Sequence, residues 1–155
     1  LPSSEECTDW ALKELVFCHY GPYEFMLREP GSDKFGYPVP LFNLVYHDSV
    51  ILPWMMDRHE NEDYMLYALL NAGMPYLVRE GAYPNTDGSF SQEYKKEVKD
   101  QIKRVEIVSK LQEKLAFEEM VSHRFIDGNP KRQETVFSDG TKVRIDLDRS
   151  EFEIG

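Results

Sequence analysis

The sequence predicts an α/β fold that changes to antiparallel strands towards its C-terminal end. An apolar run over 38–50 opens with prolines and lacks polar alternation, which is typical of a strand buried on both faces of a parallel sheet. A long apolar stripe at helical spacing lies between residues 91 and 115. From Met120 onward, short runs with the period of strands alternate with turn sequences. Strand and helix therefore alternate first, and strands alone follow.

The N-terminal segment is predicted as a helix. Ser3 or Ser4 can cap it, acidic residues fill its first turn, and the pair at 21–22, glycine then proline, ends it. Its buried side consists of large apolar residues: Trp10, Leu12, Leu15, Val16 and Phe17. Residues 23–37 are predicted as a loop that leads into the apolar run.

A second helix and strand follow the apolar run. Residues 50–56 are predicted as an apolar loop, and the helix extends over 62–71. Gly73 stands where a left-handed residue commonly ends a helix. Residues 74–78 form a second short apolar strand, and a loop over 79–89 comes after it.

The clearest helix begins after Ser91, which caps it. Its apolar stripe extends over a helix about 35 Å long and consists of Tyr94, Val98, Ile102, Val105, Val108, Leu111 and Leu115. The composition changes near Phe117, which predicts one domain over 1–117 and the beginning of another over 118–155.

Three strands are predicted in the C-terminal part, over 121–126, 134–137 and 142–147. The sequences at 127–130 and 138–141 are strong turn signals, and the second of them predicts a β-hairpin. Two strand–helix units cannot close a barrel of eight. The chain is therefore either a small open α/β domain or the tail of a larger one, and its abrupt beginning and strand-rich ending favour the tail.

Composition limits the possible partners. With 155 residues, 41% hydrophobic and 13% aromatic, the chain is long and apolar enough for a folded core. It carries 18 basic and 28 acidic residues, a net charge of -10, and no basic stripe, which argues against nucleic acid or an anionic membrane surface. No apolar run reaches transmembrane length, so membrane insertion is not expected. A neutral, hydroxyl-rich ligand suits this composition better.

His47 and Asp48 are the leading candidates for a binding site, because they end the predicted strand. Carboxyl ends of parallel strands collect ligand-binding side chains. Asp48 is predicted to accept hydrogen bonds from sugar hydroxyls and His47 to donate them. The alternatives are a packed histidine bonded to a backbone carbonyl, and an aspartate that caps a helix or turn.

Three further side chains are candidates for sugar contacts. Trp54 and Tyr83 offer flat rings on which a sugar could stack, and packing in the core is the alternative for each. Glu80 follows the second predicted strand, and its alternative role is an ion pair with Arg79 or another neighbour. Asp48 and Glu80 are both carboxylates that follow predicted strands, but catalytic residues are not assigned. The sequence contains no phosphate-binding loop, zinc-protease helix or complete calcium loop, so no cofactor or metal is predicted.

Several stretches resemble a known family. The residues over 39–50 and 69–75, and above all 122–125 with 134–141, resemble the C-terminal part of barrel glycoside hydrolases related to endo-α-N-acetylgalactosaminidases. The resemblance covers about 38–147. It implies the last two strand–helix units of a (β/α)8 barrel followed by strands of an antiparallel β-sandwich. It also implies that the catalytic carboxylates belong to earlier strands, which this chain lacks.

The resemblance leads to a functional expectation. We expect the chain to be part of a glycoside hydrolase that cleaves O-glycosidic bonds in carbohydrates or glycoconjugates, contributing to the substrate-binding rim. Its expected partners are that substrate and the remainder of the barrel, and the segment alone is expected to be inactive. Such an enzyme would be secreted or at the cell surface. The alternatives are a noncatalytic carbohydrate-binding or assembly module and a metal-dependent phosphohydrolase with His47 and Asp48 at the metal.

Overall fold

A computed structural model describes residues 2–5, 9–19, 37–56, 63–76 and 84–155 of the chain. Short parallel strands alternate with helices in its first part, and a four-stranded antiparallel sheet follows. The predicted mixture of helices and strands that ends in antiparallel strands is thereby confirmed.

The N-terminal segment is not the predicted continuous helix. β1 (Ser3–Ser4) pairs in parallel with β2 (Phe17–Cys18), and a 3-10 helix, Asp9–Glu14, lies between them. Phe17 also forms a parallel bridge with Ile51. The intrinsic preference for a helix is overridden because these backbone groups find partners in neighbouring strands.

The apolar run at 38–46 is not a strand, and that prediction is wrong. Its centre is a short helix, α1 (Asn43–Tyr46), and the backbone N–H of His47 donates to the Asn43 carbonyl at 3.1 Å. Side chains four residues apart share an environment: Asn43 and His47 are buried, whereas Leu41 and Val45 are 67% and 60% exposed. An apolar run by itself does not distinguish a buried strand from a helix.

The strand of this region lies further along the chain, within the segment predicted as a loop. β3 (Pro53–Met55) pairs in parallel with β4 (Met74–Tyr76), and α2 (Asp63–Leu70) connects them. The predicted second helix and second strand are confirmed. Segments 3–4, 17–18, 51–55 and 74–76 are thus parallel neighbours in the order in which they occur in the chain.

The turn between α2 and β4 differs from its prediction. The residue with left-handed backbone is Ala72, with φ of 45°, rather than Gly73. Gly73 is required for a different reason, since a Cβ at this position would lie 3.0 Å from the Cβ of Trp54. Two chain segments therefore approach at a distance that only glycine permits.

The long helix is confirmed as α3 (Gln92–Leu115), and the Ser91 hydroxyl accepts a hydrogen bond from the Tyr94 N–H at 3.1 Å. The C-terminal part of its apolar stripe is buried, whereas Ile102 is largely exposed. None of the helices in the described ranges is long and apolar enough to cross a membrane.

Four strands form the antiparallel sheet in their order along the chain: β5 (Met120–Phe125), β6 (Arg132–Phe137), β7 (Lys142–Asp146) and β8 (Glu151–Ile154). Both predicted turns are present, with left-handed glycines at Gly128 and Gly140. β8 is not predicted by the sequence analysis, because its alternating charged and apolar residues form too short a pattern.

One hydrophobic core joins the helices to the sheet. Its members come from β3, α2, α3 and the inner face of the sheet, and include Trp54, Leu69, Leu70, Val108, Leu115, Met120, Phe137 and Val143. Thr135 on the same face of the sheet donates a hydrogen bond to the Leu70 carbonyl at 2.8 Å. The helices thus cover the centre of the sheet's inner face. The domain boundary at 117–118 stays a prediction.

Candidate functional site

The carboxyl ends of the parallel strands are the expected place for a binding site in an α/β fold. Beyond β2, β3 and β4 the chain continues into 20–36, 57–62 and 77–83, which lie outside the described residues. Glu80 and Tyr83 belong to the last of these segments. Their predicted contacts with a sugar therefore stay predictions.

His47 lies at the opposite end of the strands, since it follows α1 and precedes β3. Its Nδ1 is 2.7 Å from the Glu118 carbonyl oxygen, and its Nε2 is 3.1 Å from the Asn71 carbonyl oxygen. The ring also contacts Phe137 edge to face, with centroids 5.1 Å apart. This is the geometry of the packed histidine bonded to backbone carbonyls. The prediction that His47 and Asp48 end a strand is wrong, because the preceding residues are helical.

The protonation of His47 depends on its burial. Loss of hydration lowers the pKa of the imidazole below its ordinary value of 6.5, and this effect exceeds the opposing effects of the two carbonyls and of Asp48. A neutral imidazole has one N–H, so it donates to one carbonyl at a time. The single N–H can lie on either nitrogen, so neutral His47 bonds either to the Glu118 carbonyl or to the Asn71 carbonyl.

Asp48 and Trp54 lie in different environments. Asp48 is exposed and accepts a hydrogen bond from the Ser49 hydroxyl at 2.9 Å. Trp54 is buried in β3 against Gly73, which is the packing alternative named for it. The structure therefore does not gather His47, Asp48 and Trp54 around one pocket.

Two buried asparagines accompany His47, and sequence reasoning missed both. The Asn43 Nδ2 donates to the Asn71 side-chain oxygen at 2.8 Å and to its carbonyl oxygen at 3.3 Å. Asn71 Nδ2 donates to the Tyr67 carbonyl at 2.9 Å. Each asparagine is the one amide side chain in or next to an apolar stretch, and that isolation could have marked both as buried residues that need hydrogen-bond partners. Together these residues connect α1, the turn after α2 and the turn after α3.

A row of charges crosses the outer face of the antiparallel sheet. Arg124, Glu134, Arg144 and Glu153 occupy directly paired positions on β5, β6, β7 and β8. Glu134 accepts hydrogen bonds from both arginines, at 2.7 Å from Arg124 Nε and 2.5 Å from Arg144 Nε, and Arg144 also pairs with Glu153 at 3.1 Å. The Arg124 hydrogen bond, reinforced by Arg144, lowers the pKa of the Glu134 carboxyl. This row of ion pairs connects all four strands across the outer face of the sheet.

Metal chemistry finds no support in the described part of the chain. No group of three histidine, cysteine, aspartate or glutamate side chains is gathered there in a way that could hold a metal ion. His47 also has both nitrogens beside carbonyls. The phosphohydrolase alternative therefore receives no favourable observation.

Comparison with solved structures gives strong matches. The α-N-acetylgalactosaminidase NagBb from Bifidobacterium bifidum, in its ligand-free form, is 46% identical to this chain with a TM-score of 0.80, over 99% of this chain and 23% of that one. Its GalNAc complex is 47% identical with a TM-score of 0.80, over 99% of this chain and 24% of that one. The chain thus spans about a quarter of the length of these structures. Neither a family model nor a curated protein matches the chain.

Proposed function

Since this chain is related in sequence and structure to a segment of a glycoside hydrolase, we propose that it is part of an enzyme that hydrolyses O-glycosidic bonds. The observation that carries the proposal is 46% identity over 99% of the chain, together with a TM-score of 0.80. The described helices, strands and core agree with a segment of such an enzyme.

The proposed substrate is a terminal α-linked N-acetylgalactosamine on a carbohydrate or glycoconjugate. NagBb is an α-N-acetylgalactosaminidase, and it has been observed in complex with GalNAc. A net charge of -10 and the absence of a basic stripe suit a neutral sugar better than a phosphorylated ligand.

We further propose that the parallel strands are consecutive strands of a (β/α)8 barrel. The support is their order, because successive parallel strands are neighbours and the order does not reverse as it does in a doubly wound sheet. The remainder of the barrel is then the structural partner of this chain, and the β5–β8 sheet belongs to an adjoining β-sandwich. The catalytic carboxylates are assigned to that remainder.

The substrate-binding contribution is assigned to the loop after β4. Glu80 would accept hydrogen bonds from sugar hydroxyls, and Tyr83 would stack on the ring. The support for this assignment is position, because residues 77–83 follow the carboxyl end of β4 in the sequence. Asp48 is next to His47 at the amino ends of the strands, so the sugar contact predicted for Asp48 is not part of this proposed rim. His47 is assigned to the support of the strands.

A chimera tests the proposal. The aligned quarter of NagBb is replaced by this chain, and hydrolysis of 4-nitrophenyl α-N-acetylgalactosaminide is measured. We expect the chimera to be active and the 155-residue chain alone to be inactive. Glu80→Gln in the chimera is expected to raise KM about tenfold, corresponding to about 1.4 kcal/mol of lost binding.

The control is Glu151→Gln in the same chimera, because Glu151 is an exposed carboxylate on β8 and far along the chain from the proposed rim. It should leave both kcat and KM unchanged. A folded chimera that hydrolyses no α-N-acetylgalactosaminide would contradict the proposed substrate. An active chimera in which Glu80→Gln has no effect would contradict the assignment of the rim alone.

A further inference from the structure

The amide of Asn43 has a fixed orientation. The Asn71 carbonyl oxygen can only accept hydrogen bonds, and Asn43 Nδ2 lies 3.3 Å from it. The Asn71 side-chain oxygen, 2.8 Å from the same Nδ2, is also fixed as an acceptor, because Asn71 Nδ2 donates to the Tyr67 carbonyl. Turning the Asn43 amide would place oxygen against two oxygens. The Nδ2 group must therefore face Asn71.

This orientation leaves the Asn43 Oδ1 without a donor. Asn43 is 2% exposed, and no group in the described part of the chain donates a hydrogen bond to its Oδ1. A buried acceptor that stays unpaired costs about 1–3 kcal/mol. Native proteins rarely carry this cost, and ordered water commonly removes it.

A small cavity adjoins the same residues. It is lined by Asn43, His47, Asn71, Gly73, Gln112 and Ala116, among others, and leaves about 10 Å³ for the centre of a water molecule. About this volume is needed to hold a single water. The cavity lies where α1, the turn after α2 and the end of α3 meet.

We propose that this cavity is a binding site for one structural water molecule, which donates a hydrogen bond to Asn43 Oδ1. A metal cation is the less suitable ligand, because hard cations take six or more oxygens and the amide supplies one unpaired oxygen. An apolar ligand would leave that oxygen unpaired. The water completes the polar contacts between α1 and the turns at the amino ends of β3 and β4.

Two measurements test the site in the 155-residue chain. A crystal structure that resolves ordered solvent is expected to show one water within hydrogen-bond distance of Asn43 Oδ1. Oxygen-17 relaxation dispersion is expected to show one long-lived water that is lost in Ala116→Val, whose added methyl groups occupy the cavity. Glu151→Gln is the control, because Glu151 is an exposed residue of β8 and no residue of β8 lines the cavity.

Each possible result either supports or contradicts the proposed water site. Solvent density at Asn43 Oδ1, or loss of one long-lived water in Ala116→Val but not in Glu151→Gln, supports the site. A dry cavity, a protein donor such as the Gln112 amide on the Oδ1, or an unchanged dispersion in a folded Ala116→Val variant overturns it. Because the crystal structure uses the unaltered chain, the test does not depend on a variant folding.

Discussion

Replacing Glu134 by glutamine removes one charge from the row on the outer face of the sheet while keeping the shape of the side chain. The wild-type carboxylate is 5% exposed and accepts hydrogen bonds from Arg124 and Arg144. Glutamine has one side-chain oxygen, so it can accept from one arginine while its amide N–H groups face the other. We expect Glu134→Gln to leave the guanidinium of one arginine facing the amide N–H groups of the glutamine, with no acceptor between them.

The expected loss follows from the exposure of the partners. A hydrogen bond to a charged group contributes about 1.5–3 kcal/mol. Arg124 and Arg144 are 63% and 40% exposed, so water screens both pairs and reduces the contribution of each. We expect Glu134→Gln to lower the free energy of unfolding by about 1–2 kcal/mol at pH 7. This loss is larger than that for a fully exposed ion pair, because the carboxylate is buried, and smaller than that for a fully buried ion pair, because the arginines are exposed.

The loss should depend on pH. The pKa of Glu134 is lowered in the folded chain from its ordinary value of 4.5, because the arginines favour the charged form. The stabilisation is therefore complete above the unfolded pKa and disappears as the pH falls through the folded pKa. The difference between wild type and Glu134→Gln should be largest above about pH 5 and should shrink as the pH falls below the ordinary glutamate pKa of 4.5.

Urea unfolding followed by circular dichroism at several pH values measures this difference. Glu153→Gln is the matched control, because Glu153 pairs with Arg144 at the end of the same row but is 67% exposed. Its replacement should change the unfolding free energy by less than about 0.5 kcal/mol. Equal losses in the two variants, or a Glu134→Gln loss that is independent of pH, would refute the reasoning.

Two further predictions concern the turn after α2, and urea unfolding measures both. Gly73→Ala should lower the free energy of unfolding by about 1–3 kcal/mol through overpacking, because the new Cβ would lie 3.0 Å from the Trp54 Cβ. Ala72→Gly should stay within about 1 kcal/mol of wild type, because glycine tolerates the left-handed backbone at this position. A larger loss in Ala72→Gly than in Gly73→Ala would contradict the close approach assigned to Gly73. Thr135→Val should cost about 1–3 kcal/mol by leaving the buried Leu70 carbonyl unpaired; a neutral effect would show that this hydrogen bond contributes nothing.

The C-terminal part of the fold was largely predictable because its signals are local. The sequence Ser138 to Thr141 is sufficient for a hairpin turn, and Gly140 takes the left-handed conformation the turn needs. Ser91 predicts the start of α3 correctly, since capping depends on a serine next to the first helical turn.

The N-terminal half was less predictable because its short elements depend on distant partners. Residues 17–18 form a strand only because Phe17 and Cys18 meet backbone groups of β1 and of Ile51. The helix at Asn43 lies in a run whose apolar character suits a strand equally well. The helix places Asn43 and His47, which are four residues apart, on the same buried side. Both side chains form hydrogen bonds there with groups far along the chain.

The environment of the candidate site residues also depended on distant parts of the chain. His47 and Asp48 were selected as residues that end a strand, and a helix in place of the strand moves His47 to the amino ends of β3 and β4. Its two carbonyl partners, on Asn71 and Glu118, are 24 and 71 residues away. No local pattern contains that information.

The sequence by itself determined the class of the chain: an α/β segment that ends in antiparallel strands, an acidic character that suits a neutral ligand, and a resemblance to barrel glycoside hydrolases. Periodicity, turn chemistry and net charge act over a few residues or over the whole chain, so they can be read without coordinates. Only the tertiary structure decided which buried polar groups meet. Asn43, His47 and Asn71 are brought together because three chain segments pack around one core, and hydrogen-bond partners in a core are set by that packing.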